Sequence, residues 1–189
     1  MCALLPRIET KSRVVVVMHS LEHHRSSNTG RLATRCLPNS DLVIYGKEGT
    51  PFDAQPWPKD HTPVVLFPIA NAPPVADFRG QENLALIFLD ANWRQAAKLR
   101  RRFAVQNIPF AKAPAGPSAY RLRAGPHDES MSTLEAVARS IAVVDDIDMS
   151  PLLRALEVFQ DRILWLRGSK QREDVAGGIP AGVERHMTP

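Results

Sequence analysis

The hydrophobic residues fall into runs whose period changes along the chain, and that change predicts the elements. Arg13–His19 (RVVVVMH) is continuous and β-branched rather than alternating, the pattern of a strand buried on both faces. Asp41–Gly46 (DLVIYG), Thr62–Ile69 (TPVVLFPI) and Leu84–Leu89 (LALIFL) repeat that character and predict three further strands. Between the strands the period lengthens. Leu32, Ala33, Cys36 and Leu37 share one face of a helix that Asn28-Thr29 can cap and Pro38-Asn39-Ser40 ends. A second helix runs from Asn92 to near Gln106. At ~100° per residue, Trp93, Ala96, Leu99 and Phe103 lie on one arc of it, and Arg94, Lys98, Arg101 and Arg102 on the opposite arc.

Two more helices follow. Ser132-Thr133-Leu134-Glu135 matches a capping box ahead of the stripe Leu134, Val137, Ala138 and Ile141. The last helix opens at Ser150-Pro151, buries Leu152, Leu156, Phe159, Ile163 and Leu166, and stops at Gly168. The remaining segments read as connections: a polar loop SLEHHRSS, a Pro- and Gly-rich connector over Lys47–His61, and a loop with one helical turn near Val75–Phe78. A short extended piece is expected at Tyr120–Arg123. Apolar strands alternating with helices predict an α/β fold, a mainly parallel sheet flanked by helices. In such sheets ligands bind beyond the carboxyl ends of the strands, where His19, Pro68 and Asp90 fall.

Composition narrows the class. The 189 residues fit a single domain over 1–167, with a flexible tail over 168–189 that is rich in Gly, Pro and charge. A hydrophobic content of 44% excludes disorder throughout. No apolar run approaches the roughly 20 residues that span a bilayer, and no secretory h-region opens the chain, so a cytoplasmic protein is expected. Cys2 and Cys36 alone make neither a disulfide framework nor a metal site.

Net charge is +4, which by itself describes any basic soluble protein. The distribution changes the picture. No acidic residue lies between Asp90 and Asp128, so i,i+4 pairing cannot account for the cations of the second helix. A solvated face and a phosphate-binding face both remain open for them. Asp90 and Trp93, at the start of that helix, can each be explained singly, as a cap and as core packing.

Taken together the motifs are more specific. Asp90-Ala91-Asn92-Trp93 after a strand, followed by a basic helix and then YRLR…STLEA, resembles the DTW-domain family, with Asn92 where the family usually has threonine. Further matches are Pro6-Arg7-Ile8-Glu9-Thr10, Met18-His19-x-x-Glu22 with Asn28-Thr29-Gly30, Leu66-Phe67-Pro68 and Ser132-Thr133-x-Glu135-Ala136. The resemblance implies a SPOUT-like domain with a C-terminal knot. It also implies an enzyme that moves the 3-amino-3-carboxypropyl (acp) group of S-adenosylmethionine (SAM) to N3 of a tRNA uridine, releasing methylthioadenosine.

On that reading Phe67, Pro68 and Leu89 would wall the co-substrate, Ser132 and Thr133 would meet its carboxylate, and Glu135 would belong to the same co-substrate site. Asp90 would accept the N3 proton or hold the co-substrate's ammonium, and Trp93 would stack on a base. His19, Arg25, Arg94, Lys98, Arg101, Arg102, Arg121 and Arg123 would contact tRNA, with the protein a monomer or a homodimer. The family's N-terminal cysteine cluster is reduced here to Cys2, so no metal is expected. His19-Ser20-Leu21-Glu22-His23 also matches the H-x-x-E-H zinc signature, but that signature needs both histidines on one helix face, and here it leaves a strand for a loop. Two other readings stay open: a SPOUT-type SAM-dependent RNA methyltransferase, and an RNA-binding scaffold without catalysis.

Overall fold

The computed structural model describes residues 4–47, 49, 55–122 and 131–185. Five strands form one sheet: β1 (Arg13–His19), β2 (Ser40–Tyr45), β3 (Thr62–Leu66), β4 (Leu84–Asp90) and β5 (Phe110–Ala111). Their order is β2-β1-β4-β3-β5, and every pairing is parallel. The helices are α1 (Ser20–His23), α2 (Gly30–Cys36), α3 (Trp93–Ala104), α4 (Thr133–Asp145) and α5 (Ser150–Leu166). A 3-10 turn occupies Val75–Phe78.

Alternation along the central strands builds a core on each face of the sheet. Val14, Val16, Leu84, Leu86 and Phe88 pack with α2, α4 and α5. Val15, Val17, Val65 and Ile87 face the other way, onto Leu99 and Phe103 of α3. Valines 14 to 17 are fully buried, which is why β1 reads as an unbroken apolar run rather than an alternating one.

The SLEHHRSS segment is not wholly loop: it makes one helical turn, because the His19 Nδ1 accepts the Leu21 N–H at 3.2 Å and caps it. Thr29 makes no side-chain cap for α2; Asn28 does the work, accepting from the Arg31 N–H at 2.8 Å. Residues 120–122 join no strand of the sheet; the Arg121 N–H donates to the Gln160 side chain and the Tyr120 hydroxyl to the Ser27 carbonyl. The edge strand is instead β5, held by the Val65 N–H on Pro109 O and the Phe67 N–H on Ala111 O. Arg123 and Cys2 lie outside the described residues. So does part of the path from β5 to α4, residues 123–130, on which the expected knot depends.

Residues 169–185, expected as a tail, lie against α5. Trp165 is buried and carries the guanidinium groups of Arg172 and Arg185 over its ring, at 5.7 and 5.4 Å from the centroid. Beside it the buried Asp161 carboxylate accepts from Arg121 (2.7 Å), Lys170 (2.7 Å) and the Ala176 N–H (2.9 Å). Burial alone would raise this carboxyl, but the bonds from Lys170, Ala176 and Arg121 outweigh it and hold it below the usual range.

A depressed native pKa adds stability that is complete above the unfolded value, near 3.9, and is lost as pH falls through the native one. Asp161→Asn is therefore expected to cost about 2 kcal/mol at pH 7, the scale of hydrogen bonds to a charged group. Chemical denaturation of both proteins from pH 7 downward checks this: the gap should narrow below about pH 4. A gap independent of pH would contradict it.

Candidate active site

The carboxyl ends of β3, β4 and β5 open onto a cavity of about 540 Å³. Phe67 and Pro68 leave β3, Leu89 and Ala91 bracket the end of β4, and Lys112, Ala113 and Ala115 follow β5. Ser132 and Thr133 at the start of α4 close the remaining side. Six residues singled out in the sequence thus meet around one hollow: Phe67, Pro68, Leu89, Trp93, Ser132 and Thr133. Lys112, Ala113 and Ala115 carried no sequence signal, because a two-residue strand has no periodicity to read.

Asp90 is not among the residues lining the cavity. It is 6% exposed, and its carboxylate accepts from Asn28 Nδ2 at 2.6 Å and from Thr133 Oγ1 at 2.7 Å. One carboxylate therefore joins the end of β4, the residues before α2 and the first turn of α4. The consequence for Thr133 is directional. Its single hydroxyl proton is committed to Asp90, so toward the cavity Thr133 can offer only lone pairs. Ser132 behaves oppositely: its oxygen accepts the Glu135 N–H at 3.3 Å, and its own proton remains to donate.

Glu135 completes the predicted capping box by accepting the Ser132 N–H at 2.8 Å. It also accepts from Ser118 Oγ (2.8 Å) and the Ala119 N–H (2.7 Å). Its carboxylate anchors the chain beyond β5, and Glu135 is not among the residues lining the cavity. Asn92 caps α3, accepting the Gln95 N–H at 2.9 Å while the Gln95 side chain returns to the Asn92 N–H. Asparagine is as good a cap as threonine or better, so its presence at this motif position keeps the start of α3 intact.

Trp93 departs from the arc expected for it. Ala96, Leu99 and Phe103 are buried, but Trp93 is 44% exposed at the cavity mouth. As the first residue of α3 it borders the cavity instead of the core cluster that holds Leu99 and Phe103. Its ring meets Phe67 edge-on at 5.9 Å, and the Arg100 guanidinium lies 5.3 Å from the centroid of Phe67.

The basic residues separate into two groups. Arg94, Lys98, Arg101 and Arg102 are exposed on α3, and no carboxylate of the described residues pairs with them. Arg102 does rest on the Tyr45 ring at 5.4 Å. Arg25 pairs with the buried Glu22 at 3.2 Å, and Arg121 with Asp161 at 2.7 Å, so these two already have structural partners. His19 is occupied as the cap of α1, with its ring edge-on to Tyr45. Glu22 and the two flanking histidines form no metal-holding cluster; none was found among the described residues.

A wholly parallel sheet flanked by helices, with a cavity at the carboxyl ends of three strands beside a helix start, defines an α/β domain whose cavity lies where such sheets bind ligands. More particularly, the chain belongs to the DTW domain family, which matches it over residues 1–164. In fold it is similar to the SAM-dependent rRNA:acp-transferase Tsr3 from Vulcanisaeta distributa. The two share 20% identity at a TM-score of 0.51, over 82% of this chain and 79% of that one.

The Asp90 node leaves no room beside it. A Cβ on Gly30 would stand 2.6 Å from Asp90 Oδ2 and 3.0 Å from Val16 Cγ1. By helix propensity alone Gly30→Ala should stabilise by up to about 1 kcal/mol. The expected result is the reverse, a lower melting temperature, read by thermal unfolding. A higher one would mean that the carboxylate can move without loss.

Proposed function

We propose that the protein is a SAM-dependent acp-transferase acting on RNA, and specifically on N3 of a uridine in tRNA. The observation that carries the reading is the cavity wall itself. Apolar Phe67, Pro68 and Leu89 stand on one side, the hydroxyls of Ser132 and Thr133 on another, and an exposed tryptophan at the mouth. A volume of about 540 Å³ falls inside the roughly 300–1,000 Å³ usual for small-molecule pockets. The apolar side suits adenosine. The hydroxyl side suits an amino-acid arm, with Ser132 donating to its carboxylate and Thr133, held by Asp90, accepting from its ammonium. Membership of the DTW family supports the class, and the α3 cations support a polyanionic acceptor.

The reaction needs geometry more than acid–base power. The uridine N3 gives its proton to solvent water at the open cavity mouth, and its lone pair attacks the γ-carbon. The carbon–sulfur bond breaks with its electrons going to sulfur, and neutral methylthioadenosine leaves. Methyl transfer competes unless the γ-carbon is the carbon presented, so fixing the amino-acid arm selects the product. On this reading Asp90 is a positioning residue acting through Thr133, and a reduced, cytoplasmic setting suits the buried free thiol of Cys36.

Incubation with SAM and separate tRNA and rRNA pools, followed by nucleoside mass spectrometry, tests the proposal. Acp-uridine in the tRNA pool with methylthioadenosine is expected. S-adenosylhomocysteine with a methylated nucleoside would replace the reading by methyl transfer, and acp-uridine confined to rRNA would correct the acceptor. Thr133→Val keeps the shape but removes the hydroxyl. It should raise the KM for SAM and lower kcat/KM by about a hundred-fold, the scale of a misplaced reacting group. Unchanged kinetics would remove Thr133 and Asp90 from the mechanism.

A further inference from the structure

Lys112 is the only ionisable residue among the described walls of the cavity. Its backbone is fixed on both sides: its N–H donates to Pro73 O and its carbonyl accepts from the Val75 N–H, each at 2.9 Å. Its ammonium donates to Ala70 O at 2.7 Å, on the exposed stretch after β3. That bond holds the charge at the rim rather than on the floor, with two N–H donors still to use. Phe110 belongs to the α3 side of the sheet and Ala111 to the opposite side, so strand alternation returns Lys112 to the α3 side, with Phe67. Arg100 lies over that same Phe67 ring. One cation thus lies over Phe67 and a second, from a separate element, lines the cavity that Phe67 and Trp93 also line, and no carboxylate of the described residues pairs with either.

We propose that Lys112 and Arg100 hold a phosphate of the acceptor RNA at the cavity mouth, so that the adjoining base is delivered against Trp93. This rests on the RNA-modifying reading above and adds to it the contact that registers the strand on the enzyme. A phosphate fits a rim site because its charge stays in water while it is gripped, and an uncharged base fits the neighbouring aromatic edge. A co-substrate carboxylate fits less well. It would have to reach the wet rim, away from the buried Ser132 hydroxyl.

The test is equilibrium binding of bulk tRNA across a salt series, with SAM binding measured in parallel, for wild type, Lys112→Gln, Arg100→Gln and Lys112→Arg. Each glutamine variant is expected to weaken RNA binding roughly ten-fold, the scale of a charge-assisted hydrogen bond. Each should also flatten the log-log salt slope by about 0.7, one phosphate contact on single-stranded RNA. SAM affinity should stay unchanged, and Lys112→Arg should retain both affinity and slope. An unchanged slope in the glutamine variants overturns the inference. So does a loss of SAM affinity at constant slope, which would give Lys112 to the co-substrate. A wild type that binds RNA with full slope yet releases no methylthioadenosine refutes the transferase reading instead, and leaves the slope comparison valid.

Discussion

One carboxylate organises the site. Asp90 ends the central strand β4, and its two oxygens are taken by Asn28 and Thr133, from segments 62 and 43 residues away in the chain. An acid buried to this degree must have such partners, because an uncompensated charge in the interior is costly. The need for partners is what draws the starts of α2 and α4 to the sheet edge. Gly30 follows from the same demand, since only hydrogen fits where the helix backbone passes Asp90. The floor and one wall of the cavity are consequences of satisfying that acid.

Much of the fold was legible because the physics behind it is local. The bounds of β1 and the start of α5 match the predicted ones, and the other long elements differ by a few residues at their ends, since burial on both faces and capping both write short-range patterns. Phe67, Pro68, Leu89, Trp93, Ser132 and Thr133 of the cavity wall were legible through the family resemblance and through the rule that parallel sheets bind ligands at their carboxyl edge. What escaped prediction depends on long-range geometry. β5 is two residues long and exists because β3 offers it an edge. Trp93 shares a helical arc with Phe103, yet it lines the cavity and stays exposed. Asp90 reads as a residue aimed into the site, but the direction of its carboxylate was decided by Asn28 and Thr133, which no spacing along the chain could reveal.

Charge is distributed with the same economy. The described cavity walls hold hydroxyls and apolar groups apart from Lys112, whose ammonium is tied to Ala70 O, while the other cations stand outside on α3. A cationic co-substrate would meet little repulsion inside, and a polyanion would still find attraction at the entrance. The C-terminal residues follow another logic, lying on α5 through Asp161 and Trp165, on the opposite side of the sheet from α3.

The strand order also governs how the chain comes together as it is made. β1 can pair with β2 almost as soon as both have emerged, but its other edge waits for β4, with all of β3 synthesised in between. Until then a valine-rich strand presents an unsatisfied hydrogen-bonding margin to anything nearby. β3 lies idle in turn until β4 arrives between it and β1. Completion of this sheet therefore depends on pairing between strands distant in the chain, the kind of contact whose loop-closure entropy must be met before it stabilises anything.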